Sequence, residues 1–257
     1  MEPEHSPNPA VNPDNPPMPL GARLVNVFAV PGDVFDTVKA GSPSLANWLV
    51  PLLLSCLVGV VHTILIFSQD ATLHQIRELQ ERSIQQKLEK LPKADAEKTR
   101  EMMERFLSPA FLKITGSIGS VAWAGLSLLL TALFVWLVGT RMLKGFFTLR
   151  QAVEVCGLAS MIGVLGSVVT TLLVMGMGNI LLTPGPALLL SNFDAKNKLH
   201  LVLSSFNAMT VWYLGVLTMG LARLSAASCK EAALWVFVPW AIYRASLILA
   251  GGGVGGL

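Results

Sequence analysis

Apolar residues gather along this chain into five long runs, separated by short polar breaks and one long polar interval. The run over 48–67 contains no Asp, Glu, Lys or Arg. A hydrocarbon core about 30 Å thick takes about 20 helical residues at about 1.5 Å of rise each, and in lipid a helix satisfies its own backbone hydrogen bonds. The run therefore predicts a membrane span, and further spans are expected over 114–140, 153–177, 201–224 and 232–250. Between the third and fourth, Thr183-Pro184-Gly185-Pro186 cannot continue a helix and predicts a turn at the membrane interface.

The long polar interval follows the first span. Nine Lys or Arg and eight Asp or Glu lie between Gln69 and Lys113, so its charges nearly cancel. Leu73, Ile76, Leu79, Ile84, Leu88 and Leu91 recur at helical spacing and form one broad stripe. Pro92 stops that helix, and a second can begin near Asp95 with Met103, Phe106 and Leu107 available to pack. The expectation is an extramembrane helical hairpin over 69–108. It is either a docking or dimerisation element or a solvated connector packed on itself.

Ahead of the first span, residues 1–22 are rich in Pro with Asn, Asp and Glu between, the composition of a disordered tail. The segment 23–47 then becomes amphipathic: Leu24, Val27, Phe28, Val34, Phe35 and Val38 recur at helical spacing, with Asp33, Asp36 and Lys39 on the other side. Pro31-Gly32 divides it into two short pieces. Such pieces either lie in the headgroup layer or pack on the end of the bundle. Residues 251–257 form a flexible glycine-rich tail.

Composition agrees with a bilayer environment. Apolar residues make up 53% of the chain and charged residues 14%, against about 25% charged in a typical soluble domain. The net charge of +3 is spread through loops, which argues against nucleic acid as a partner. Cys56, Cys156 and Cys229 are scattered without a C-x-x-C, so neither a disulfide framework nor a zinc site is expected. Cys229, at a membrane boundary, is either a packing thiol or an acylation site.

Small residues mark candidate helix contacts, because close approach is how helices gain association energy in lipid. They are Gly116, Ser120 and Ala124 in the second span and Ala159, Gly163, Ser167 and Thr171 in the third, suited to packing within the monomer or to a homo-oligomer. Polar groups within or near the membrane are the candidate functional positions. Glu154 follows Arg150 by one helical turn, which predicts an interfacial ion pair. His62 and Asn207 are expected to bond neighbouring helices, and Arg244 to snorkel toward the end of the fifth span.

No H-E-x-x-H, G-x-S-x-G, Walker loop or strand-to-helix G-x-G-x-x-G occurs, and no span holds a nucleophile with a base or paired aspartates. Neither catalysis nor a cofactor is expected. Orientation depends on how positive charge is counted. The whole chain gives seven cations on the N-terminal side against eleven opposite, while setting the 69–113 interval aside as a folded unit gives seven against two. The second count puts the N-terminus in the cytoplasm and is preferred here.

The order of several short motifs resembles the prokaryotic Yip-domain family, relatives of the Ypt/Rab-interacting membrane proteins. The opening Arg23-Leu-Val-Asn-Val-Phe-Ala-Val-Pro31 with Val34-Phe35 is one; Thr148-Leu-Arg-Gln-Ala152 is another. Ser205-Phe-Asn-Ala-Met-Thr-Val-Trp212, Gly220-Leu-Ala-Arg-Leu-Ser225 and Cys229-Lys-Glu-Ala232 complete the set. The third span departs from the family, reading Gly157-Leu158-Ala159-Ser160-Met161 where many relatives carry Gly-Tyr-Ala and a nearby proline. Nothing in 1–22 matches the eukaryotic GTPase-recruiting tail, so no Rab-type partner is implied. The apolar runs predict an all-α integral membrane bundle of five transmembrane helices, and the resemblance implies an integral membrane domain with a cytosolic N-terminus, here expected in a bacterial inner membrane. It further implies a non-enzymatic role in membrane organisation or partner recruitment, through lipid and a protein partner. The competing expectation is a small permease, with a polar path where His62, Asn207 and Arg244 face one another.

Overall fold

The computed structural model describes residues 18–78, 93–181, 183–190 and 197–249, and these form helices and turns without a strand. The expectations for 1–17 and 251–257, and for Leu79, Ile84, Leu88, Leu91 and Pro92, lie outside the described residues. Two short helices open the fold, α1 (Leu20–Asn26) and α2 (Pro31–Ala40), followed by α3 (Ala46–Ile66). A polar helix α4 covers 70–78, and α5 (Lys93–Phe106) precedes α6 (Pro109–Leu137), which runs on into a π-helical turn, Val138–Met142. The rest comprises α7 (Leu149–Met177), a short 3-10 turn Pro186–Leu189, α8 (Lys198–Ser205), α9 (Ala208–Ser225) and α10 (Cys229–Leu249).

Four of these helices, α3, α6 with its π turn, α7 and α10, are long and apolar enough to cross a membrane. The pair α8 and α9 makes a fifth if its two halves are one span, and they meet at a bend of 47°. The fourth span expected over 201–224 is thus not one continuous helix. Phe206 and Asn207 interrupt it, and the freed backbone groups find new partners: Ala208 N–H donates to Pro184 O at 2.8 Å, and Asn207 Oδ1 accepts from Met209 N at 2.9 Å. The Pro184-Gly185-Pro186 turn wedges against this break so tightly that a Cβ on Gly185 would lie 2.5 Å from Phe206 O.

Helix starts come earlier than the apolar runs that announced them. Ser108 caps α6 ahead of Pro109, five residues before the expected span. Thr148 and Gln151 form a capping box for α7, each bonding the other's backbone N–H. Ser228 and Glu231 do the same for α10. Gly178, with φ of 64°, ends α7 in the left-handed conformation that favours glycine.

The core gathers around α7, which packs on α3, α6 and α9. Val155, Leu158, Ala159 and Ile162 from α7 meet Val216, Leu217 and Leu221 from α9 and Val135 and Val138 at the end of α6. Outward faces are apolar as well: Leu53, Leu57 and Val61 on α3 and Ile114, Ile118, Leu129 and Leu133 on α6 are exposed, as helices facing lipid require. α2 packs on α9 and α7, with Val34, Phe35 and Val38 buried there.

Candidate functional site

The polar residues of the bundle collect at three levels. The first lies where α1, the start of α3 and the start of α7 meet. Glu154, 1% exposed, accepts Asn47 Nδ2 at 2.7 Å on one carboxylate oxygen and Ser44 N–H at 3.0 Å on the other. Asn47, also 1% exposed, turns its carbonyl oxygen to Arg23 Nη1 at 3.1 Å. Asn47 therefore relays between a cation and an anion that do not touch, each of its two amide functions facing the charge it suits. Arg23 Nε is buried without an acceptor. The cluster ties three chain segments together.

This corrects the expectation for Glu154. Its partners are Asn47 and Ser44, while Arg150, one turn earlier, is exposed and makes no ion pair with it. The reason is helix geometry: Gly157, one turn further along α7, lets α3 approach so closely that a Cβ there would sit 2.4 Å from Trp48 Cα and 2.9 Å from Asn47 O. That contact delivers Asn47 to the carboxylate.

Next to this cluster, α2 is fastened to the end of α9. Arg223 pairs with Asp36 at 3.1 Å and covers Gly32, where a Cβ would come 3.0 Å from its Nη2. Lys39 Nζ donates to Arg223 O at 2.7 Å, a cation at a helix C-terminus where the backbone dipole favours it. Gln151 Nε2 donates to Lys39 O at 3.3 Å.

The second level lies in the last turns of α3 and α7. His62 Nδ1 lies 2.7 Å from Thr171 Oγ1, which is itself 2.6 Å from Ser167 O. With its one hydrogen directed to Ser167, the Thr171 hydroxyl can only accept, so His62 donates from Nδ1. The bond ties α3 to α7.

At the third level, the α8–α9 break, Arg244 Nε and Nη2 both donate to Ser205 Oγ, at 3.2 and 3.0 Å. Arg244 thus does not extend to the end of its own span; it binds the last residue of α8. Asn207 bonds within its own helix as a cap rather than to a neighbour. Arg244 and Asn207 both belong to this break, while His62 is committed to Thr171 on another helix pair.

Among the candidate packing positions, Gly116 faces Thr63 and Phe67 of the α3 end, and Ser120 faces Gly59. Ala124 is half-buried and Ala159 fully buried. Gly163 is different: it is exposed, and a Cβ there would meet nothing within 4 Å. Close approach on α7 is carried by Gly157 and by Gly166, which lies against Met209, and by Gly220 of α9, which lies against Val155.

Asn47 and Gln75 were not singled out in the sequence. Gln75 on α4 donates to Gly178 O and accepts from Ile180 N–H at 3.2 Å, joining the polar interval to the end of α7. No group of three or more His, Cys, Asp or Glu able to hold a metal occurs among the described residues. Comparison of the chain with protein-family models, with curated proteins and with solved structures finds no match.

Proposed function

We propose that this protein is a non-enzymatic, Yip-like integral membrane scaffold that organises the membrane or recruits a protein partner, in a bacterial inner membrane with its N-terminus in the cytoplasm. One observation carries the reading: Glu154, His62 and Arg244 are each held by hydrogen bonds to a neighbouring segment, in three separate contacts. Glu154 is held by Asn47 and Ser44, His62 by Thr171, and Arg244 by Ser205. A transport path or an active site would need such groups to converge on shared space. The motif order given above supports the family part of the proposal. The polar interval, moored to the bundle through Gln75, supplies the recruiting surface.

The test is capture of partners in mild detergent by the full-length protein and by a variant lacking 79–106, which keeps α4 and its Gln75 mooring. The expected result is loss of specific co-purifying proteins with insertion intact. An identical set of partners from both proteins would count against recruitment through the interval.

The permease reading is favoured by a different observation, the interrupted α8–α9 span with Arg244 at the interruption. Broken helices line substrate sites in several transporter folds. A solute that protects the wild-type protein against heat and fails to protect an Arg244→Gln variant would turn the assignment that way.

A further inference from the structure

The turn between α6 and α7 carries a feature that the helix locks do not explain. It reads Arg141-Met-Leu-Lys-Gly-Phe-Phe-Thr-Leu-Arg150, and Phe146 within it is 100% exposed. This is not a slack loop. Gly145 N–H donates to Gly139 O at 2.8 Å, and a Cβ on Gly145 would be 2.5 Å from Ser225 Cα, so the turn is pressed against the end of α9. Phe147 turns inward, 9% exposed, its ring stacked so closely on Gly139 that no Cβ would fit there. Phe147 is thus seated in the bundle while its neighbour Phe146 faces outward.

Cations flank this aromatic in the sequence. Among the described residues Arg141, Lys144 and Arg150 are all exposed and pair with no carboxylate, and Lys230, five residues after Ser225, lies in the first turn of α10. Among the described residues, the carboxylates at this end are engaged elsewhere, apart from exposed Asp33: Asp36 with Arg223, Glu154 with Asn47 and Ser44, Glu231 with Ser228. Two spans of the bundle flank the turn, so it must lie at the bilayer surface.

We infer that this turn is a binding site for acidic phospholipid headgroups, with Arg141, Lys144 and Arg150 holding the phosphate and Phe146 inserted among the acyl chains beside it. Basic residues near a membrane surface favour anionic lipid, and an aromatic ring gains by leaving water at the headgroup level. The inference rests on the membrane reading and not on partner recruitment. Its test counts lipids on the purified protein, whereas the recruitment test counts captured proteins, so the two fail separately.

Full-length protein would be reconstituted in phosphatidylcholine vesicles containing a minor fraction of phosphatidylglycerol, re-extracted in mild detergent, and its retained lipids counted by native mass spectrometry. The expected result is enrichment of phosphatidylglycerol over its vesicle fraction by about tenfold, abolished in Arg141→Gln/Lys144→Gln/Arg150→Gln. A control with the same charge change on α4 and α5, Arg77→Gln/Lys98→Gln/Arg105→Gln, should keep the enrichment. Phe146→Ser should lower it about threefold. Absence of enrichment in the wild type, its persistence in the first triple variant, or equal loss in both triple variants overturns the site. Unchanged enrichment in Phe146→Ser overturns the role of the ring.

Discussion

Two glycines six positions apart on α7 separate packing from mere smallness. Gly157 is pressed on the backbone of α3, with no flexible side chain to give way, whereas Gly163 faces open space. Gly157→Ala should force α3 and α7 apart and destabilise the protein by about 2 kcal/mol, while Gly163→Ala should change stability by about 0.5 kcal/mol or less. Thermal unfolding of both variants in one detergent measures the difference, and equal effects would contradict the contact. Glu154 tests the buried relay. Glu154→Ala leaves Asn47 Nδ2 and Ser44 N–H without an acceptor and Arg23 without its counter-charge, a loss of about 3 kcal/mol. Glu154→Gln retains one acceptor and should cost about half as much. Sequence spacing matched Glu154 to Arg150 because they share a helix face, but spacing within one helix says nothing of what a second helix brings. Asn47 stood one residue outside the first apolar run, so hydropathy passed over the residue that completes the relay.

At the scale of elements, the apolar runs located every long helix and misjudged where they begin. Hydropathy registers where charge stops, whereas a helix starts where its first N–H groups find acceptors. Thr148-x-x-Gln151 and Ser228-x-x-Glu231 were legible as capping boxes and set the true starts of α7 and α10. The α8–α9 break was less legible, because Ser205-Phe206-Asn207 contains neither Pro nor Gly. The cause lies elsewhere in the chain, in the Pro184-Gly185 turn that takes the Ala208 N–H and fills the notch. The polar interval is likewise held from outside itself. Gln75→Ala should free α4 from the α7 end and speed amide exchange at Ile180, leaving exchange in the core of α7 unchanged. Hydrogen-exchange mass spectrometry reads this directly, and unaltered Ile180 protection would show that the mooring lies in other contacts.

For the molecule as a whole, the number of crossings decides which compartment sees each surface. With α8 and α9 as one bent span there are five, and the α4–α5 region lies opposite the N-terminal face that bears α2 and the α6–α7 turn. That face carries seven cations against eleven opposite, or against two once the 69–113 interval is set aside, and the proposed cytoplasmic N-terminus rests on the second count. Reporter fusions at Ala94 and within the α6–α7 turn should report opposite compartments, with the Ala94 reporter active only outside the cytoplasm. An Ala94 reporter active in the cytoplasm would reverse the orientation.

The fastening of α2 to α9 also constrains the order of assembly. Lys39 and its acceptor on Arg223 are 184 residues apart in the chain, so the seat for Val34, Phe35 and Val38 does not exist until the ribosome has released Leu224. Through most of synthesis these three side chains are greasy and uncovered beside an already inserted first helix. Their cover is complete only when α9 takes its place against α2.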